Sequence, residues 1–65
     1  IEMAINSLPT TQREVFVFHQ IRGYSFKKIN ELTGIPINTL LSRKRYAVQN
    51  LRAELQDIYD DLYEE

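Results

Sequence analysis

The sequence predicts an all-α domain of four helices, and three observations carry that expectation. Pro9, Gly23, Gly34 and Pro36 cut the 65 residues into four segments. Within each segment apolar residues return every three or four positions, the period that gathers them on one side of an α-helix. No run alternates apolar and polar residues strictly and the β-branched residues are scattered, so strand signals are absent.

In the first segment Ile1, Ala4, Ile5 and Leu8 recur at i, i+3, i+4 and i+7, one face of a helix. Pro9 has no N–H to donate, so it ends that helix or opens the next. Thr11-x-x-Glu14 has the pattern of a capping box, and Val15, Phe16, Phe18 and Ile21 then supply a broad apolar face. Gly23 suits the left-handed position just past a helix end. Ser25 is a good N-cap for a third helix, on which Phe26, Ile29 and Leu32 share a side while Lys27, Lys28 and Glu31 lie elsewhere. Gly34 closes it.

Pro36 stands at or beside the first position of a long last helix, since no Gly or Pro follows to the end. There Leu41, Val48, Leu55 and Leu62 repeat at seven, Leu51 and Ile58 sit three residues after Val48 and Leu55, and Leu40 and Ala47 flank the stripe. A helix from Ile37 to Tyr63 would be ~40 Å long at 1.5 Å per residue. A compact chain of this size has a radius of gyration near ~11 Å, so about two turns must overhang or bend back. Leu55 is expected to dock on the body, with Ile58 and Leu62 left for a partner. The expected core is Val15, Phe18, Ile29, Ile35, Leu40 and Leu51.

Length and composition exclude most other readings. Residues 1–65 make one small domain, without internal repeat or linker. There is no Cys, hence no disulfide or thiolate metal site, and a single His19 cannot hold zinc alone. His19 is expected to be an exposed helix residue. Tyr59-Asp60-Asp61 lacks the glycine and the ligand alternation of a calcium loop. No apolar run approaches the ~20 residues of a membrane span and no signal peptide pattern opens the chain. Because the chain begins at Ile1, it reads as a fragment of a longer, cytoplasmic protein. No nucleophile–base pair or phosphate loop is visible, so neither an enzyme nor a cofactor is expected.

Charge is segregated along the chain. The total is −1, yet residues 1–53 hold all eight cations against Glu2, Glu14 and Glu31, a balance of +5. Residues 54–65, an acidic C-terminal extension, hold six anions and no cation. From Arg22 to Arg52 seven cations face one anion, a balance of +6. A basic body of this kind suits nucleic acid.

The spacing of the third and fourth segments is that of a helix-turn-helix, spanning about residues 25–45. A short helix, the turn Thr33-Gly34-Ile35-Pro36 and a second helix from about Ile37 follow one another. Gly34 permits the positive φ such a turn requires. On the second, recognition helix, Leu40, Ala47 and Leu51 form the inward seam, and Asn38, Ser42 and Arg45 lie opposite at i, i+4 and i+7. Arg can donate two hydrogen bonds to guanine and Asn can pair with adenine. Leu41 and Lys44 lie on the flanks. Arg43-Lys44-Arg45 is expected to reach phosphates on both sides of a groove, aided by Lys27 and Lys28. The four tyrosines, Tyr24, Tyr46, Tyr59 and Tyr63, read as packing or rim residues.

Several of these residues also form a familiar combination. Leu8-Pro9-x-x-x-Arg13-Glu14-Val15-Phe16, Gly23-Tyr24-Ser25-x-x-x-Ile29, Thr33-Gly34-Ile35-Pro36-x-Asn38-Thr39-Leu40-x-Ser42-Arg43, Ala47 and Leu51-Arg52 resemble the C-terminal domain, region four, of bacterial sigma factors. The likeness is nearest to the extracytoplasmic-function group and covers residues 4–55. It implies binding to promoter DNA at the minus-thirty-five element and docking on the β flap of the RNA polymerase core. Many such domains are masked by an anti-sigma factor. It carries a DNA-facing role onto Asn38, Thr39, Leu41, Ser42, Arg43 and Arg45, with Ser25 and Lys27 beside phosphates. Asn30, Lys28, Leu41 and Lys44 depart from the pattern, standing where an alanine, an acid, a cation and an apolar residue are usual. Two other function classes stay open beside this one: a protein-interaction domain using the long helix and acidic extension, and another helix-turn-helix regulator.

Overall fold

Residues that interrupt a helical backbone mark each boundary of the chain. The computed structural model describes residues 2–63, with α1 at Glu2–Asn6, α2 at Thr10–Phe16, α3 at Phe26–Thr33 and α4 at Ile37–Tyr63. Among the described residues there is no strand, and the all-α, four-helix expectation holds. Pro9, with φ −54° and ψ 146°, occupies the N-cap of α2. Its carbonyl accepts the Arg13 amide at 2.9 Å, the first bond of the helix. Thr11 therefore lies inside α2 rather than before it, and the expected capping box does not form. A capping hydroxyl has to come from the residue just outside the helix, and that residue is a proline.

Beyond Phe16 the chain does not stop but widens into a π-helical turn, Val17–Ile21. The Arg22 amide reaches back five residues to the Val17 carbonyl at 2.9 Å. Gly23 then turns the chain at φ +73°, as its position past the helix end requires. At α3 Ser25 behaves as expected, its Oγ accepting the Lys28 amide at 3.0 Å.

The core is two clusters strung along α4. Ala4 and Leu8 meet Ala47 and Leu51, with Ile5 and Phe16 packed alongside. Val15, Ile29 and Leu40 form the second cluster, with Phe18, Tyr24, Phe26 and Ile35 around it. Each large aliphatic side chain removed from water in this way stabilises the fold by about 1.5–3 kcal/mol. Val15, Ile29, Leu40 and Leu51 are buried as expected. Phe18 and Ile35 are only half-buried, at the rim of the second cluster. Phe18 falls on the π-helical turn, stacks on Tyr24 with centroids 5.8 Å apart and carries the Arg22 guanidinium over its ring. Ile35 belongs to the turn itself, where no helix of its own covers it.

α4 neither shortens nor folds back. The domain measures 48 × 19 × 16 Å with a radius of gyration of 13.5 Å, larger than a compact chain of this length would have. Leu51 is the last buried residue among those described. Three residues on, Ser7 Oγ donates to the Glu54 carboxylate at 2.7 Å and ties the end of α1 to α4. Leu55 does not dock as expected. It is 40% exposed, at the edge of an open groove lined by Phe16, Val48, Leu51, Arg52 and Gln56. α1 ends at Asn6, and the Ser7–Glu54 hydrogen bond just after it falls one residue short of Leu55. The expectations for Ile1, and for the side chains of Ile58, Tyr59, Leu62 and Tyr63, lie outside what the structure describes.

Candidate nucleic-acid interface

The turn between α3 and α4 is held by its own polar groups. Gly34 sits at φ +75° and its amide reaches the Asn30 carbonyl at 2.7 Å. Asn30 Nδ2 donates to the Ile35 carbonyl at 2.7 Å. Thr33 Oγ1 donates to the Ile29 carbonyl at 2.7 Å and accepts the Ile35 amide at 3.2 Å. Among the described residues no buried side-chain polar atom lacks a partner. Asn30, which departs from the usual alanine, thus supplies the donor for a turn carbonyl. The Pro36 carbonyl accepts the Leu40 amide at 3.1 Å, at the start of α4.

The residues assigned to DNA from the sequence fall into three groups. Asn38 and Arg45 are exposed, and Ser42 between them is half-buried. They line the outward side of α4 at i, i+4 and i+7. Leu41 is exposed on one flank of this row. Thr39 and Arg43 are half-buried on the other flank, Arg43 lining a cavity of ≈ 20 Å³ with Thr11, Glu14 and Thr33. Ser25 and Lys27 are exposed at the start of α3. The Ser25 hydroxyl accepts from the backbone and keeps its own proton to donate.

Lys44 is the exception to the expected run of three cations. Its Nζ lies 2.7 Å from His19 Nδ1 and donates to Gln20 Oε1 at 3.3 Å, with the Phe16 ring 5.8 Å away. It turns inward to the π-helical turn after α2, which leaves Arg43 and Arg45 rather than three cations for the expected phosphate contacts. His19 is not the exposed residue expected. It is half-buried, its ring stacked on Phe26 with centroids 4.1 Å apart and planes 12° apart. Burial, and then the Lys44 charge, hold the His19 pKa below the ordinary 6.5. Burial likewise lowers the Lys44 pKa. A neutral ring with its proton on Nε2 accepts from Lys44 through Nδ1.

Two surface residues extend the row beyond the sequence reading. Gln49 is exposed four residues after Arg45, and Gln shares with Asn the pairing to adenine. Its spacing could have found it. Tyr46 is exposed, and its ring lies 5.4 Å from the Arg45 guanidinium carbon, a cation–π contact that limits where the arginine points.

Among the described residues no group of acidic, His or Cys side chains could hold a metal ion, and no helix is long and apolar enough to cross a membrane. No solved structure matches the chain significantly. A family model does match, that of sigma-70 region 4, over residues 1–51. That stretch holds both core clusters, the helix-turn-helix and the whole outward row of α4. The chain therefore belongs to the sigma-70 region 4 family, DNA-binding, non-enzymatic domains through which sigma factors recognise promoters.

Proposed function

We propose that this domain reads the minus-thirty-five element of promoters for a sigma factor of the extracytoplasmic-function type, working in the cytoplasm. The observation that carries the reading is the outward row of Asn38, Ser42 and Arg45 on a helix-turn-helix whose surroundings, from Arg22 to Arg52, hold a charge of +6. In this reading Arg45 and Asn38 meet base edges, Thr39, Leu41 and Ser42 lie against the groove, and Arg43, Lys27 and Ser25 meet phosphates. Phosphate contacts set the register, and base-edge contacts supply the choice of sequence.

Docking on the β flap of the RNA polymerase core is the second part of the proposal. The open apolar groove of Phe16, Val48, Leu51 and Leu55 supports it, since it lies away from the DNA-facing row and suits a protein segment. A module of this size covers only ~600–1,000 Å² on DNA, so binding is weak alone and strong within the polymerase assembly. An anti-sigma factor competing for the same surfaces fits the reading.

Selection from randomised duplexes, followed by titration of the selected duplex at low salt, tests it. The expected result is a preferred hexamer bound more tightly than a scrambled one, with affinity falling as salt rises. Absence of any duplex binding at low salt would remove the DNA role and leave the helical domain as a protein-interaction module.

A further inference from the structure

Ile37 and Leu41 are 40% and 47% exposed, and neither belongs to either core cluster. A single exposed leucine is ordinary surface. This pair differs in its placement. The two residues are four apart on one helix, so their side chains adjoin, about 5–6 Å between Cβ atoms. Each is followed directly by a member of the polar row, Ile37 by Asn38 and Leu41 by Ser42. They form a continuous apolar edge along the first turns of α4, beside the groups proposed to meet bases.

We propose that Ile37 and Leu41 contact the 5-methyl groups of thymines, making them specificity-determining residues for A·T pairs. The inference rests on the DNA reading above and names the feature of the ligand this edge recognises. The thymine methyl is the one apolar group the major groove displays, and apolar side chains are its partners. Charge decides for DNA over an apolar protein surface at this end of α4. Arg43 and Arg45 stand within four residues of Leu41, and no anion lies between Glu31 and Glu54. The span between the two side chains covers about two base-pair steps at 3.4 Å each, so the contacted thymines lie close together.

The test uses the selected duplex with each thymidine in turn replaced by deoxyuridine, which removes the methyl and leaves the hydrogen-bonding edge intact. Binding is followed by fluorescence anisotropy at one fixed salt concentration. Loss of a buried methyl-sized group, about 0.8 kcal/mol, corresponds to about a fourfold weaker Kd. We expect that loss at one or two positions. Leu41→Ala should bind the thymidine and deoxyuridine duplexes equally at one of them, and Ile37→Ala at the other. Both side chains are substantially exposed, so circular dichroism should show folded variants. Equal binding of thymidine and deoxyuridine by the wild-type chain at every position overturns the inference and leaves the DNA reading standing. So does undiminished discrimination by both variants. Failure to bind any duplex overturns the DNA reading, and this inference with it.

Discussion

His19 Nδ1 and Lys44 Nζ lie 2.7 Å apart, joining the π-helical turn after α2 to the recognition helix. Phe26 stacks on the same ring, so three elements converge on one imidazole. The contact exists only while the ring is neutral, because protonated histidine has no lone pair to offer and would face an ammonium.

The first prediction follows from that proton. The folded pKa of His19 is depressed, so the folded state binds fewer protons than the unfolded chain near neutrality. The His19 contribution to stability is therefore complete above the unfolded value of 6.5 and is lost as pH falls through the lower folded pKa. Urea melts at several pH values should show stability falling on the acid side of 6.5, and Lys44→Met should raise the His19 pKa measured by NMR. An unshifted His19 titration would contradict the contact.

Leu40 is 1% exposed, at the centre of the second cluster, where α2, α3 and α4 meet. Leu40→Ala should cost about 2–5 kcal/mol through lost transfer energy and the cavity left behind. A domain of this size holds roughly 0.05–0.15 kcal/mol per residue, so much or all of its stability would go. Thermal denaturation checks this, and an unchanged midpoint would mean the seam of α4 is rotated.

Gly34 offers a cleaner measurement. A Cβ built there meets no atom within 4 Å, so only the backbone at φ +75° resists substitution. Gly34→Ala should cost about 1–2 kcal/mol, the usual cost of the left-handed conformation for an L-residue. Asn30→Ala, which strands the Ile35 carbonyl, should cost about 1–3 kcal/mol by loss of a partly buried partner. Denaturant titration of both variants separates strain from hydrogen bonding.

Base reading and phosphate contact should part in two substitutions. Arg45→Ala should lower the preference for one base by about 1–3 kcal/mol. Lys27→Ala should weaken all duplexes alike and reduce the salt slope by about one unit. A uniform loss with Arg45→Ala would make Arg45 a phosphate contact and shift the reading row toward Asn38 and Gln49.

The acidic extension gives a salt-dependent prediction. Asp57 is twelve residues beyond Arg45 on the same helix, about 18 Å at 1.5 Å per residue. Charges interact over ~10 Å at 0.1 M salt and ~30 Å at 0.01 M. Truncation after Gln56 removes five anions and none of the buried residues among those described. It should leave the fold intact and strengthen DNA binding at 0.01 M salt but scarcely at 0.1 M. Equal affinity of the two chains at 0.01 M would show that the extension does not repel DNA.

Positions ruled by backbone chemistry were legible in advance. Pro9, Ser25, Gly34 and Pro36 act where their φ preferences and missing or available hydrogen-bond groups require, and Leu40, Ala47 and Leu51 follow from spacing alone. What escaped depended on neighbours remote in the chain. No side chain signals a π-helical turn, so the placement of Phe18 and His19 could not be read. Spacing set Lys44 on a flank but said nothing of where a long side chain finds its acceptor. Its occurrence where related domains carry an apolar residue was the only hint that it points inward. Thr11 was misread because a capping pattern does not say which residue precedes the helix.

One consequence of α4 is mechanical. A single uninterrupted helix carries both the row proposed to face DNA and the overhanging end, so the two move as one beam. From Arg45 to Tyr63 the arm is about 27 Å, and a 20° tilt at the groove end would swing the far end by about 9 Å. Small adjustments of seating on a promoter are thereby magnified into displacements that a fluorophore near the tip, paired with one on α1, would register.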